Sequence, residues 1–141
     1  LKDTSSSIQS ENYPQNQSLT VLEIDDSALA ELDLWTAFFV LQKEVLKLEE
    51  NKPNAFEDKE QNIGVFFKDL TRNIPKLFDT NTIWARLKVL ETEVFLYHAY
   101  ANAEVDDEHV STARLNVLLA YYNLVRQINK LHEKETQNIN E

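Results

Sequence analysis

The chain has 141 residues, of which 43% are hydrophobic and 10% aromatic, enough to bury a core within one domain. Its formal charge is -10, from 14 basic and 24 acidic side chains, and no lysine-rich face is present. That balance argues against phosphate backbones and against attraction to anionic membrane surfaces. Cysteine and methionine are both absent, which excludes disulfides, iron–sulfur clusters, zinc–thiolate centres and His/Met-ligated haem.

The charge is uneven. Residues 1–33 carry one lysine against seven acids, a net of -6, and the other 108 residues carry -4. The one glycine, Gly64, and the three prolines, Pro14, Pro53 and Pro75, are too few for a sheet protein, which needs turn residues every 8–12 positions or so. Long helices are expected instead. No apolar run approaches the 18 or so residues of a transmembrane span.

Residues 1–18, LKDTSSSIQSENYPQNQS, hold three large apolar side chains, Leu1, Ile8 and Tyr13, and read as a flexible polar tether. Thr4-Ser5-Ser6-Ser7 after Leu1-Lys2-Asp3 resembles the polar linker that follows the lipid-bearing cysteine of bacterial lipoproteins. The resemblance implies export, a cell-envelope location and a lipid anchor upstream of residue 1; a cytoplasmic protein is the alternative. An upstream coding sequence without a signal peptide would remove the export expectation. Asn16-Gln17-Ser18 matches a glycosylation sequon, which matters only in a eukaryotic secretory pathway. Leu19, Val21, Leu22 and Ile24 form an extended lead-in, and the helical domain is expected over 19–134.

The first helix is predicted over about 26–50, capped within Asp25-Asp26-Ser27 and stopped before Pro53. Leu29, Leu32, Trp35, Phe39 and Leu46 make one stripe, and Phe38, Leu41, Val45 and Leu48 a second. Apolar Phe38-Phe39-Val40-Leu41 runs around most of the circumference, so this helix is expected to be covered on more than one side. The second helix, about 57–78, presents Ile63, Phe66, Phe67, Leu70 and Ile74. Pro75 lacks the donor for the Thr71 carbonyl; Leu77 and Phe78 continue the same face, so a kink is expected rather than a stop.

Asp79-Thr80-Asn81-Thr82 supplies the next cap. The third helix, about 82–104, aligns Ile83, Leu87, Leu90, Val94, Tyr97 and Ala101. The fourth, about 107–134, aligns Val110, Ala113, Val117, Tyr121, Leu124, Ile128 and Leu131, with Asn116, Asn123, Gln127 and Lys130 on its wet side. Residues 135–141 are expected to fray. Four helices with short connections predict an all-α, antiparallel up-down-up-down four-helix bundle behind a flexible N-terminal tail. Ala85-Arg86-Leu87-Lys88-Val89-Leu90 nearly recurs as Ala113-Arg114-Leu115-Asn116-Val117-Leu118, which we read as coincidence.

The chemistry is sparse. No Glu-x-x-His pair, His-Glu-x-x-His motif or glycine-rich phosphate loop occurs, and no cofactor is implied. Asp106-Asp107-Glu108-His109 is read as a helix start, with acids at the positive end of the dipole. Asp106 and His109 are weak candidates for a metal at i, i+3. Glu91 and Glu93, at i, i+2, point to different faces and make no catalytic pair.

His98, Tyr97, Tyr100, Tyr121 and Tyr122 fall in the hairpin of the third and fourth helices and are the candidate ligand or partner contacts. The functional expectation is a non-enzymatic, exported and tethered module that binds a protein partner, as monomer or dimer. A small-molecule or metal-binding bundle using His98 and the tyrosines is one alternative. A cytoplasmic oligomerisation module built on Phe38-Phe39-Val40-Leu41 is the other.

Overall fold

A computed structural model of the chain describes Ile24 and residues 30–140, excluding the side chains of 136–140. The tether, the sequon and the first-helix caps lie outside the described residues. Among the described residues the fold is all helical, with no strand and four helices of seven residues or more. These are α1 (Thr36–Glu49), α2 (Glu60–Arg72), α3 (Asn81–Ala101) and α4 (Asp107–Asn140). Single 3-10 turns at Ala55–Glu57 and Lys76–Phe78 precede α2 and α3. No helix among the described residues is long and apolar enough to cross a membrane.

The helix expected over 26–50 is interrupted. Residues 30–32 are helical, a turn follows at 33–34, and α1 begins only at Thr36. The break rotates Leu34 outward, 73% exposed, and Trp35 inward, 1% exposed. Trp35 packs on Phe38 with ring centroids 5.4 Å apart and stacks on Phe78 at 6.3 Å. Its indole N–H donates to the Leu70 carbonyl at 2.8 Å, in a buried setting. That carbonyl lies in the last turn of α2, where helical acceptors have no intrahelical partner.

Phe38, Leu41, Val45 and Leu48 of the second stripe are the buried face of α1. Of the apolar run, Phe38 and Leu41 are fully buried, Phe39 is partly covered and Val40 is open. The helix closes on Asn51, whose positive φ of 59° suits a left-handed cap. Asn51 N–H donates to the Leu48 carbonyl at 3.2 Å and Lys52 N–H to the Lys47 carbonyl at 2.8 Å. Glu44, buried on the same helix, accepts the Ala55 N–H at 2.8 Å and Lys47 Nζ at 3.1 Å, which pins the 3-10 turn.

The second helix also departs from expectation. Asn54 caps the 3-10 turn by accepting the Phe56 N–H at 2.9 Å, and α2 starts at Glu60 rather than near Glu57. It stops at Arg72 instead of kinking through Pro75. A residue before proline is disfavoured in the α region. Here the chain leaves the helix at Asn73, and Pro75 turns it into the 76–78 turn. Phe78 is thereby delivered into the core with 0% exposure.

Thr80 then caps α3 through an Ile83 N–H bond of 3.2 Å, within the predicted Asp79–Thr82 stretch. The α3 stripe buries Ile83, Leu87, Leu90, Val94 and Tyr97, while Ala101 stays exposed. The fourth helix runs to Asn140 rather than fraying from residue 135. It buries Ala113, Val117, Tyr121, Leu124 and Ile128, with Leu118, Leu119, Ala120 and Val125 covered as well. Its most extensive interface is with α3. Tyr121 stacks on Phe38 of α1 at 6.2 Å, and Arg114 donates to the Leu48 carbonyl at 3.3 Å.

The near-repeat does not hold in three dimensions. Val89 is 49% exposed, whereas Val117, its counterpart 28 positions on, is fully buried. The two copies face different ways, in keeping with coincidence.

Replacing Trp35 by Phe keeps a ring in the core but leaves the Leu70 carbonyl without its donor. An unsatisfied buried acceptor costs about 1–3 kcal/mol, and urea unfolding is expected to show a loss of that order. Gly64 sits mid-helix with open space where a Cβ would go. Gly64→Ala is therefore expected to raise stability by about 0.5–1 kcal/mol in the same assay.

Candidate functional site

The expected tyrosine cluster is divided among different neighbours. Tyr97 faces the 55–57 turn, where its hydroxyl donates to Glu57 Oε2 at 2.9 Å. Burial first, and then the Glu57 carboxylate, push this hydroxyl up to about 12. Tyr121 is 3% exposed between α4 and α1; burial pushes its hydroxyl up, opposed by a hydrogen bond with Gln42. Tyr122 stacks under the Arg126 guanidinium, 5.6 Å from the ring centroid. His98 lies 3.3 Å through Nδ1 from the Phe56 carbonyl, and the same nitrogen is 3.3 Å from Asn102 Nδ2. Tyr97 and His98 thus both hold the short turn against α3.

Tyr100 alone of the four tyrosines meets the start of α4, with its ring centroid 6.0 Å from that of His109. Asp106 immediately precedes α4, and its Oδ1 accepts the His109 backbone N–H at 2.9 Å. His109 Nδ1 contacts the same oxygen. A carboxylate only accepts, so His109 Nδ1 is the donor of that contact. Asp106 is therefore a helix cap that also orients a histidine. Among the described residues, no three His, Asp or Glu side chains gather where they could hold a metal ion.

Beside this cap, residues of α3 and α4 line a cleft of about 200 Å³. From α3 come Glu93, Leu96 and Tyr100; from α4 come Glu108, His109, Thr112, Ala113 and Asn116. The α3 residues stand at i, i+3, i+7, next to the buried stripe but outside it, so they edge an opening instead of the core. Ala113, 4% exposed, is the small buried residue at this level of α4.

The electrostatics are one-sided. Among the described residues, neither lysine nor arginine lines the cleft. Burial raises the Glu93 carboxyl above its ordinary range. Asn116, expected on the wet side of α4, instead has its Oδ1 buried with no hydrogen-bond partner. Glu91, two residues from Glu93, faces the other way and pairs with Lys88 at 3.2 Å.

Of the candidate residues, the structure brings Tyr100 and His109 together at the cleft, with Asp106 behind the histidine. It places Tyr97, His98, Tyr121 and Tyr122 elsewhere. Sequence reasoning missed Glu93, Leu96, Thr112 and Asn116 as lining. The signal for the α3 members was present: Val89, Glu93, Leu96 and Tyr100 form a second stripe at i, i+4, i+7, i+11. Comparison of the chain with protein-family models, with curated proteins and with solved structures finds no match.

The Tyr97 hydroxyl gives a pH test. Its folded value near 12 lies above the unfolded value near 10, so the stability it contributes is complete below about pH 10. That contribution is lost as pH rises from there through 12. Thermal melts across this window are expected to fall more steeply for the native chain than for Tyr97→Phe, and equal slopes would contradict the assignment.

Proposed function

We propose that the chain is a non-enzymatic helical binding module that takes a small ligand in the cleft between α3 and α4. The observation that carries this reading is the cleft itself: about 200 Å³, edged by an aromatic ring and acceptors, with a partnerless buried oxygen on a lining side chain. A concave apolar site with a few convergent polar groups is the usual form of a small-molecule pocket. Binding is favoured over catalysis because His109, the one imidazole at the cleft, is engaged by Asp106 in starting α4.

The four helices are proposed to form the antiparallel up-down-up-down bundle expected from their spacing. In support, α4 meets both α3 and α1, and α2 meets α1 and α3. The exported, tethered setting belongs to the same proposal, and its support is the polar composition of residues 1–18. The oligomerisation alternative loses weight, because Phe38 and Leu41 are spent within the chain's own core.

A fragment screen by amide NMR tests the site. Hits are expected to move the resonances of residues 93, 96, 100, 112 and 116. The exposed Thr112, replaced by Trp, fills the cleft and is expected to abolish those shifts while leaving the helical circular dichroism intact. Hits that map elsewhere, or that survive the plug, would remove this reading.

A further inference from the structure

We propose that the ligand of this cleft is an organic ammonium ion with a ring-sized apolar body, a primary arylalkylamine being the fitting class. The inference rests on the reading of the α3–α4 cleft as a binding site and adds the charge and size of what enters it.

Charge comes first. Two carboxylates, Glu93 and Glu108, line the cleft, and no described lysine or arginine stands among its walls, in a chain of net charge -10. An anionic ligand would meet repulsion at the wall and from the protein as a whole. Covering Glu93 with a neutral apolar ligand would strip water from a carboxylate and return nothing for it. An ammonium group brings three donors and a positive charge, so it offsets that desolvation.

Asn116 adds a second, independent pointer. Its Oδ1 is buried and has no partner, although the side chain lines the cleft. A donor that reaches this oxygen from the cleft gains a hydrogen bond that the oxygen otherwise lacks among the described residues. The ligand is thus expected to present a hydrogen-bond donor.

Size and shape come from the apolar walls. A dry cavity of roughly 150 Å³ accommodates benzene, so about 200 Å³ leaves room for a ring and a short aminoalkyl arm. Tyr100 and His109 supply aromatic surface, and Leu96, 45% exposed, supplies an aliphatic edge. A tyrosine face also attracts a cation directly. A bare divalent ion fits poorly, because calcium takes six to eight oxygens and no three-residue ligand group stands here.

The α2–α3 groove is a useful contrast. It is lined by Lys68, Lys88, Glu91 and Trp84 around Gly64, so its charges are mixed. That groove carries no comparable preference.

The experiment is an amide NMR titration of the full chain at neutral pH with three probes of one shape: 2-phenylethylammonium, 2-phenylethanol and 3-phenylpropanoate. The ammonium probe is expected to shift residues 93, 96, 100, 109, 112 and 116 saturably. The alcohol is expected to bind about tenfold or more weakly, and the carboxylate not to bind. Glu93→Gln and, separately, Glu108→Gln are expected to bring amine and alcohol to similar affinity, with Glu91→Gln as the control that changes nothing.

Glu108 is exposed, so its variant stays interpretable even where Glu93→Gln disturbs packing. Alcohol binding as tight as amine, or amine binding indifferent to both variants, overturns the inference and leaves the cleft reading standing. Silence from all three probes while the fragment screen still places hits in the cleft does the same. An empty screen together with silent probes removes both.

Discussion

One hydrogen bond sets the course of the chain: the Trp35 indole N–H into the Leu70 carbonyl, 35 residues away and buried. The carbonyl needs an outside donor because α2 ends two residues later and Pro75 ends any continuation. The indole reaches it only because the helix breaks at 33–34 before α1 begins. Around this bond, Phe78 stacks on Trp35 and closes the 76–78 turn, which hands the chain to Thr80 and the start of α3. The direction in which α3 leaves, and so the line along which it meets α4, follows from that corner.

What the sequence made legible were features in which one local rule acts alone. The heptad-like spacing of Ile83, Leu87, Leu90, Val94 and Tyr97 described the buried face of α3 because nothing else competes for those side chains. The stretches Asp79–Thr82 and Asp106–His109 announced helix starts because side-chain acceptors beside unsatisfied amides have one obvious use. The failures are places where a tertiary partner overrode a local preference. Periodicity carried the first helix through 33–35, yet the pull of the Leu70 carbonyl on an indole 35 positions away has no local trace. Leu77 and Phe78 kept the phase of α2, but the chain turned and placed Phe78 against Trp35 instead. Glu44 went unremarked in the sequence, and buried it meets the Ala55 amide, a partner that exists only after the loop folds back.

The cleft was half legible for a related reason. Its α3 edge is a stripe that periodicity describes, whereas its depth depends on how far apart two backbones stand, and that distance is a property of packing. Asn116 shows the difference most sharply: polar identity assigned it to water, and packing took its oxygen out of water. The tyrosines erred in the opposite direction. Four similar rings close in sequence suggested one pocket, but helical rotation of about 100° per residue sends neighbours to different walls. Three of them became structural, through Glu57, Phe38 and Arg126.

The reach of α4 has a mechanical corollary. Its 34 residues span about 51 Å, against about 31 Å for the 21 residues of α3. Its last fully buried side chain is Ile128, Leu131 still packs partly against the core, and the backbone continues as one helical rod to Asn140. A rod transmits both distance and rotational phase: each added residue advances the far end by about 1.5 Å and turns it by about 100°. A second helical segment spliced in frame onto this end would be displayed at an angle set by residue count, as on a graduated shaft. The body of the fold would thus act as a bearing, and α4 as the axle running through it.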